Sequence, residues 1–126
     1  MKKPSFLTLL LIVGVFIVLI LIAASYWRHN APSEYDSLAQ CITEKGGSAS
    51  VAYWCGNCAA QEKMFGSAWR YIDERECSSP GSKTFDLCPD IKGTPTWHLP
   101  DGSRVEGVQS LENLAKLYGC QEYLPE

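Results

Sequence analysis

Residues 51–61 read VAYWCGNCAAQ, an apolar run that ends in Cys55 and Cys58, two cysteines separated by a glycine and an asparagine. The run is rich in aliphatic and aromatic residues, which is typical of a buried strand, and we predict a strand over residues 49–54. A helix is expected to begin at Cys55 or at the following glycine and to end near Gly66. The cysteine pair therefore lies where a strand passes into a helix.

This position suits thiol chemistry. At the first turn of a helix, unpaired backbone N–H groups and the helix dipole favour the thiolate of Cys55, which is the nucleophilic form. Cys58 lies one turn further along the same face and is close enough to displace whatever Cys55 has captured. We therefore interpret the two as a redox pair.

Two other interpretations of the pair remain open. A disulfide between these cysteines would close such a small loop that it would constrain the unfolded chain little, so a purely structural clip is disfavoured. A zinc site needs about four ligands, whereas the sequence has no second pair of this spacing and has only two histidines. We expect no metal and no cofactor.

The rest of the chain predicts a mixed α/β domain with helices on the faces of one central sheet. The predicted elements are a helix over 34–45, a possible strand within 70–77, a short helical turn within 84–90, a hairpin over 95–107 and a last helix from Ser110 to Gly119.

Before this domain, residues 6–24 form an uncharged apolar segment that is long enough to span a bilayer as a helix. A cleaved secretory signal is the alternative, but its apolar core is usually shorter. Lys2 and Lys3 favour a cytoplasmic N-terminus. We therefore predict a transmembrane anchor at 1–27, a linker at 28–33, and a domain at 34–126 on the extracytoplasmic side of the cell membrane, facing a periplasm, a lumen or the cell exterior.

Charge and cysteine usage agree with that location. Of the 11 Lys and Arg residues two precede the apolar segment, which leaves nine basic against 14 acidic side chains in the remainder. An acidic domain without a basic cluster is a poor nucleic-acid binder. All six cysteines follow the apolar segment, and an even number in a small exported domain indicates disulfides.

Beyond the redox pair, four cysteines are available for structural disulfides. Cys77 and Cys88 bracket a loop that otherwise lacks packing, so we predict a bridge between them. Cys41 lies in the first helix of the domain and Cys120 just past the last, and a bridge there would join the two ends. The alternative is that one of these pairs relays electrons to the redox pair.

Two motifs carry a family resemblance. The stretch VAYWCGNC resembles the strand, Trp and CxxC of the thioredoxin superfamily, and IKGTPTW resembles its segment with a cis-proline. The chain is more closely similar to the thioredoxin-like domain found fused to, or working beside, bacterial and plant homologues of vitamin K epoxide reductase. CITEKGG, KMFGSAW, ECSS and GVQSLENLAKLYGC extend that similarity from about Cys41 to Cys120.

The resemblance implies a thioredoxin-like fold and a role for each residue of the site. Cys55 is expected to be the attacking cysteine and Cys58 the resolving one. Pro95 is expected to follow a cis peptide bond beside them. Thr94 would offer backbone groups to a substrate strand, and Trp54 would shape the surface around the pair.

The sequence departs from the superfamily at two places. Ala49 stands six residues before Cys55, where many thioredoxins have a buried acid. Glu62 is more typical of a solvated surface residue than of a replacement for that acid. The dipeptide Gly56-Asn57 is neither the Gly-Pro of reducing relatives nor the Pro-His of strongly oxidising ones.

His98, in the hairpin, is more typical of a surface residue than of a proton shuttle.

The function we expect is a membrane-anchored thiol–disulfide oxidoreductase that passes disulfides to exported proteins. A quinone-linked membrane partner of the vitamin K epoxide reductase family would reoxidise it, as the resemblance implies. The alternatives are a reductase or isomerase of exported disulfides, and a tethered chaperone or metal-binding module without catalysis.

Overall fold

The computed structural model describes residues 4–126, and helix α1 (Phe6–Asn30) forms a unit by itself. Ser5 caps this helix, because its hydroxyl accepts the backbone N–H of Thr8 at 3.3 Å. With a mean hydropathy of 3.3 in its most apolar window, α1 is the one helix among the described residues that is long and apolar enough to cross a membrane.

Helix α1 is longer than the predicted membrane segment. It continues past residue 24 and includes residues 28–30 of the stretch that we expected to be a linker. Lys2 and Lys3, on which the predicted orientation depends, lie outside the described residues.

The second unit, Pro32–Glu126, contains the predicted α/β domain. Its elements are α2 (Asp36–Glu44), β1 (Ser48–Val51), α3 (Gly56–Phe65), a 3₁₀ helix (Gly66–Tyr71), β2 (Glu74–Glu76), β3 (Thr96–His98), β4 (Arg104–Glu106), α4 (Leu111–Tyr118) and a final 3₁₀ turn (Gln121–Tyr123). The sheet order is β2-β1-β3-β4, with β1 parallel to β2 and the other neighbours antiparallel. The predicted fold class, a mixed sheet with flanking helices after an apolar N-terminal helix, is confirmed.

The helix that closes the domain has both of the predicted end signals. Ser110 Oγ accepts the backbone N–H of Asn113 at 3.1 Å. Gly119 adopts φ of 67°, in the left-handed region where a glycine is favoured, and its N–H bonds back to the last turn of α4. Helix α2 begins at Asp36, and its N-cap residue, Tyr35, makes no side-chain capping hydrogen bond.

The predictions for two segments between residues 70 and 90 had different outcomes. The strand in 70–77 forms as β2, although all its side chains are charged, because they are exposed at the sheet edge while the backbone pairs with β1. The helical turn expected within 84–90 was wrong. Isolated turns occur there, such as Cys88 N–H to Phe85 O at 3.0 Å, because this segment folds back onto Cys77.

The core lies between the sheet and the helices. Its largest fully buried members are Trp97 from β3, Phe65 from α3 and Leu38, Ile42 and Leu114 from the other helices. The structure contains the two disulfides that the sequence analysis proposed. Cys41–Cys120 joins α2 to the segment after α4, and Cys77–Cys88 organises a second, smaller core with Ile91.

Candidate active site

Cys55 occupies the N-cap of α3. Strand β1 delivers the chain to the surface, and a turn closed by Cys55 N–H to Ala52 O at 2.9 Å directs it into the helix. The sulfur of Cys55 accepts the backbone N–H of Cys58 at 3.1 Å, so it takes the place of the side-chain oxygen that usually caps a helix. A helix start therefore holds this sulfur.

Cys58 lies in the first turn of α3, with its sulfur beside that of Cys55. Its thiol donates to the sulfur of Cys55 across 2.7 Å, and both cysteines are free. Cys55 is partly exposed, whereas Cys58 is buried with 6% of its surface accessible. A reagent arriving from solvent therefore meets Cys55 first.

The surroundings shift the two thiols in opposite directions. Burial alone would raise the pKa of Cys55, but its contacts with the Cys58 thiol, with Thr94 and with the backbone N–H groups of Cys58 and Asn57 outweigh burial and lower that pKa below its ordinary value. Burial raises the pKa of Cys58 to about 11, and the bond to Cys55 adds to the rise. One sulfur is thus suited to attack and the other keeps its proton.

The segment before β3 closes the site from the other side. The Thr94–Pro95 peptide bond is cis, and the carbonyl oxygen of Thr94 lies 3.3 Å from the sulfur of Cys55 and accepts from its thiol. Gly107, just past β4, donates its N–H to the carbonyl of Pro95 at 2.8 Å. The hairpin of β3 and β4 therefore presents this segment to the cysteine pair.

Trp54 packs against the disulfide-bonded loop rather than in the main core. Its indole stacks on Phe85 with 5.4 Å between ring centroids, and its Nε1 donates to Ser78 Oγ at 2.8 Å. The neighbouring Tyr53 donates its hydroxyl to the carbonyl of Ser82 at 2.7 Å. The loop closed by the Cys77–Cys88 bridge thus supports the two aromatic residues that precede Cys55.

A pocket of about 210 Å³ opens beside Cys58, and three carboxylates line it. Glu62 comes from α3, where it is exposed as predicted, and Glu74 and Glu76 come from β2. Trp69 Nε1 donates to the carboxylate of Glu74 at 2.8 Å, and the carboxylate of Glu76 accepts the backbone N–H of Ser78 at 2.9 Å. The two β2 residues were missed in the sequence because only the pairing of β2 with β1 brings them to this side of α3.

Gln61 was also missed. It lies on α3, is completely buried, and bonds through both ends of its side-chain amide to groups outside its own helix. Its position three residues after Cys58 places it on the inner face of the helix. This spacing was the one feature of the sequence that could have indicated its role.

The remaining predicted residues lie apart from the pair. Cys77, Cys88 and Cys120 have no accessible surface. His98 is half-buried, not fully exposed, and its Nε2 lies 2.7 Å from the hydroxyl of the buried Ser50. Ala49, where the superfamily often has an acid, is fully buried in β1. Within residues 4–126 no group of three or more His, Cys, Asp or Glu side chains is arranged to hold a metal ion.

Comparison with known proteins shows a similarity to a plant oxidoreductase. No family model matches the chain. The chain is 32% identical over 90 residues to the thiol-disulfide oxidoreductase LTO1 of Arabidopsis thaliana. That alignment covers 66% of this chain but only 24% of the plant protein, so the chain spans about a quarter of the length of its relative.

Proposed function

We propose that this chain is a membrane-anchored thiol–disulfide oxidoreductase whose redox pair is Cys55 and Cys58. The observation that carries the proposal is the pair itself: two free sulfurs 2.7 Å apart at the start of α3, one partly exposed with a lowered pKa and one buried with a raised pKa. The similarity to a plant thiol-disulfide oxidoreductase supports the same activity.

In the direction that we propose, the oxidised pair gives its disulfide to an exported protein. A substrate thiolate attacks the sulfur of Cys55, so the Cys55–Cys58 bond breaks and Cys58 receives the electron pair. A second substrate thiolate then attacks the substrate sulfur of the mixed disulfide and releases Cys55 as a thiolate. The two substrate thiols lose two electrons, which the pair gains, and they release their protons to solvent, from which Cys58 takes up one.

The pocket beside Cys58 provides a path between the proton of the Cys58 thiol and solvent. With a pKa near 11, Cys58 takes up a proton when it leaves as a thiolate, and it must lose one when the pair is oxidised again. The carboxylates of Glu62, Glu74 and Glu76 line the pocket next to its sulfur and are suited to exchange that proton with solvent. None of the three carboxylates stands at the position of Ala49, where many thioredoxins have a buried acid.

Substrate docking uses the segment before β3. An extended peptide pairs with the backbone of Thr94 beside Pro95, which brings its cysteine to Cys55. Trp54, next to Cys55 in the chain and packed on the disulfide-bonded loop, would shape the surface around the reactive sulfur. Specificity for a peptide therefore rests on a preformed surface around one reactive sulfur.

Regeneration requires an electron acceptor. We propose that a quinone-linked membrane protein of the vitamin K epoxide reductase family takes the two electrons and two protons from the reduced pair. The apolar helix α1 supports this part of the proposal, because a protein anchored in a bilayer meets membrane partners at a high effective concentration. The domain would then face the extracytoplasmic side.

The test is a trapping experiment on the full chain in its membrane. With Cys58→Ser, the Cys55 thiolate can still attack a substrate disulfide, but no Cys58 thiol is present to break the resulting mixed disulfide, so we expect covalent complexes that disappear on reduction. Cys55→Ser is the matched control and should trap nothing. Absence of complexes with Cys58→Ser would contradict the proposed activity.

The direction is tested separately by the reduction potential of the pair. A disulfide donor is expected to lie well above thioredoxin, towards the ~−120 mV of strong oxidants. A potential near ~−270 mV would instead favour a reductase or isomerase.

A further inference from the structure

Gln61 joins the helix of the redox pair to the hairpin that carries Pro95. We infer that it is a positioning residue for peptide substrates, which holds the Thr94–Pro95 segment at the right place opposite Cys55. This inference rests on the proposed function, and it adds a determinant of substrate docking that lies outside the cysteine motif.

The bonds of Gln61 are made inside the protein. Its Nε2 donates to the carbonyl of Gln109 at 3.0 Å, and its Oε1 accepts the backbone N–H of Gln109 at 2.7 Å. The same oxygen lies 3.4 Å from Nε1 of Trp97, which donates to it. Both Gln61 and Trp97 have no accessible surface, so water does not compete for these bonds.

These partners lie on both flanks of the hairpin. Trp97 is in β3, two residues after Pro95, and Gln109 follows β4. The side chain of Gln109 donates to the carbonyls of Glu106 and Gly107, both at 3.2 Å. Because the N–H of Gly107 bonds to the carbonyl of Pro95 at 2.8 Å, a continuous set of hydrogen bonds runs from Gln61 to the docking segment.

The chemistry of the side chain explains why a glutamine is needed. A primary amide offers a donor and an acceptor side by side, which matches the N–H and C=O of one backbone residue. A methionine has a similar length and fills the space but offers neither bond. An ionised glutamate keeps the acceptor and loses the donor, so it cannot bond to the carbonyl of Gln109.

The consequence differs between large and small substrates. A peptide must pair with the Thr94 backbone before its sulfur reaches Cys55, so a shift of the hairpin misplaces it. A small aromatic disulfide needs only the partly exposed sulfur of Cys55. The ratio of the two rates therefore measures docking, and the thiolate fraction of Cys55, which affects both rates, cancels in it.

The experiment uses the reduced full chain in detergent. The two probes are 5,5′-dithiobis(2-nitrobenzoic acid) and an extended peptide whose single cysteine carries the same nitrothiobenzoate group, and both release the same coloured thiolate on attack by Cys55. For Gln61→Met we expect the peptide rate to fall roughly tenfold relative to the small-reagent rate, because small misplacements of a substrate have large effects on rate.

Two further variants keep the test decisive. Gln61→Glu should behave like the wild type at low pH, where the protonated carboxyl group offers both a donor and an acceptor, and its rate ratio should fall as the group ionises. Thr43→Val is the matched control. It removes a hydroxyl that donates to Tyr71 O at 2.7 Å and accepts from Asp73 N–H, away from the redox pair, and its rate ratio should equal that of the wild type.

The outcomes separate this inference from the proposed function. If the wild type reacts rapidly with both probes and Gln61→Met keeps the wild-type ratio, the positioning role is wrong and the redox activity stands. If Cys55 of the wild type is unreactive towards both probes, the proposed function fails. A ratio that also falls in Thr43→Val would show a general loss of structure and would overturn the specific role of Gln61.

Discussion

The two sulfurs of the candidate site differ because of where α3 begins. Cys55 precedes the first helical residue and receives an N–H bond at its sulfur, whereas Cys58 lies inside the first turn and faces the core. A separation of three residues thus produces two different thiols from identical side chains. In the disulfide exchange that we propose, this difference decides which sulfur meets the substrate.

The first residue-scale prediction concerns pH. Only the thiolate is alkylated, so the rate at Cys55 should rise with pH and reach its midpoint below that of an ordinary thiol. Cys58→Ala removes the bond that contributes most to lowering the pKa of Cys55, and the midpoint should move to higher pH. The measurement is iodoacetamide labelling of the reduced full chain, followed by mass spectrometry.

The matched control for this profile is Cys55→Ala, which leaves Cys58 alone. Labelling of Cys58 should require strongly alkaline solution, since burial raises its pKa to about 11 in the intact pair. Equal midpoints for the two cysteines would contradict the asymmetry of the site.

Trp54 gives a second prediction at this scale. Trp54→Phe keeps an aromatic ring against Phe85 but loses the bond to Ser78, which should lower the free energy of unfolding by about 1 kcal/mol. Trp54→Ala should lower it by roughly 3 kcal/mol, because the stacked contact is lost as well. Guanidinium denaturation of the full chain in detergent measures both.

A control for the Trp54 variants is Val108→Ala, at a side chain that is 41% exposed, which should change stability by less than about 0.5 kcal/mol. A loss as large as that of Trp54→Ala would mean that truncation anywhere on this surface is costly.

At the scale of elements, the local sequence was sufficient to predict a helix whose own end residues cap it. Helix α4 was predicted from Ser110 and Gly119, and both act as caps in the structure. The segment over 84–90 was predicted wrongly because its conformation depends on the bond to Cys77, a partner distant from the local pattern. Strand β2 is similar, since only its pairing with β1 explains it.

The same distinction applies to the candidate site. The cysteine pair and the segment at Pro95 could be found from the sequence because their chemistry is written in short motifs and in a family resemblance. Glu74 and Gln61 could not, because a glutamate on an edge strand and a glutamine in a helix become parts of the site only through tertiary contacts.

Gly47, between α2 and β1, supports a prediction for this junction. A Cβ there would lie 2.6 Å from the ring of Tyr118 and 2.7 Å from the backbone oxygen of Ile42, and backbone cannot move aside easily. Gly47→Ala should therefore destabilise the domain by about 2 kcal/mol or more. Its thermal unfolding midpoint, followed by circular dichroism, should fall accordingly.

Gly56→Ala, in the redox motif, is the control of equal size. A Cβ at this position meets nothing within 4 Å, so stability should change by less than about 0.5 kcal/mol. A larger loss there than at Gly47 would mean that the close approach at Gly47 is not what fixes the junction.

At the scale of the whole molecule, the two structural disulfides close loops of very different length. Cys41–Cys120 spans a sequence separation of 79 residues and Cys77–Cys88 one of 11. Chain-entropy arguments give about 4.5 kcal/mol for the longer loop and about 3 kcal/mol for the shorter. Paired replacement by alanine should therefore cost more at Cys41 and Cys120, as measured by guanidinium denaturation.

Burial also predicts the order of reduction. Cys77, Cys88 and Cys120 have no accessible surface and Cys41 has 6%, whereas Cys55 is partly exposed. Limited treatment of the fully oxidised protein with dithiothreitol should open the Cys55–Cys58 disulfide first. Peptide mapping after alkylation should then find label on these two cysteines alone, and early label at any of the other four would contradict this order.

The bridge between Cys41 and Cys120 has a consequence for biosynthesis. A nascent chain leaves the ribosome N-terminus first, so the sulfur at residue 41 appears before its partner at residue 120 has been translated. Four further cysteines, Cys55, Cys58, Cys77 and Cys88, emerge in the interval and are available for incorrect pairing. Closure of this bridge therefore requires translation of residue 120, and a chain that stops between residues 88 and 120 would leave Cys41 without its partner.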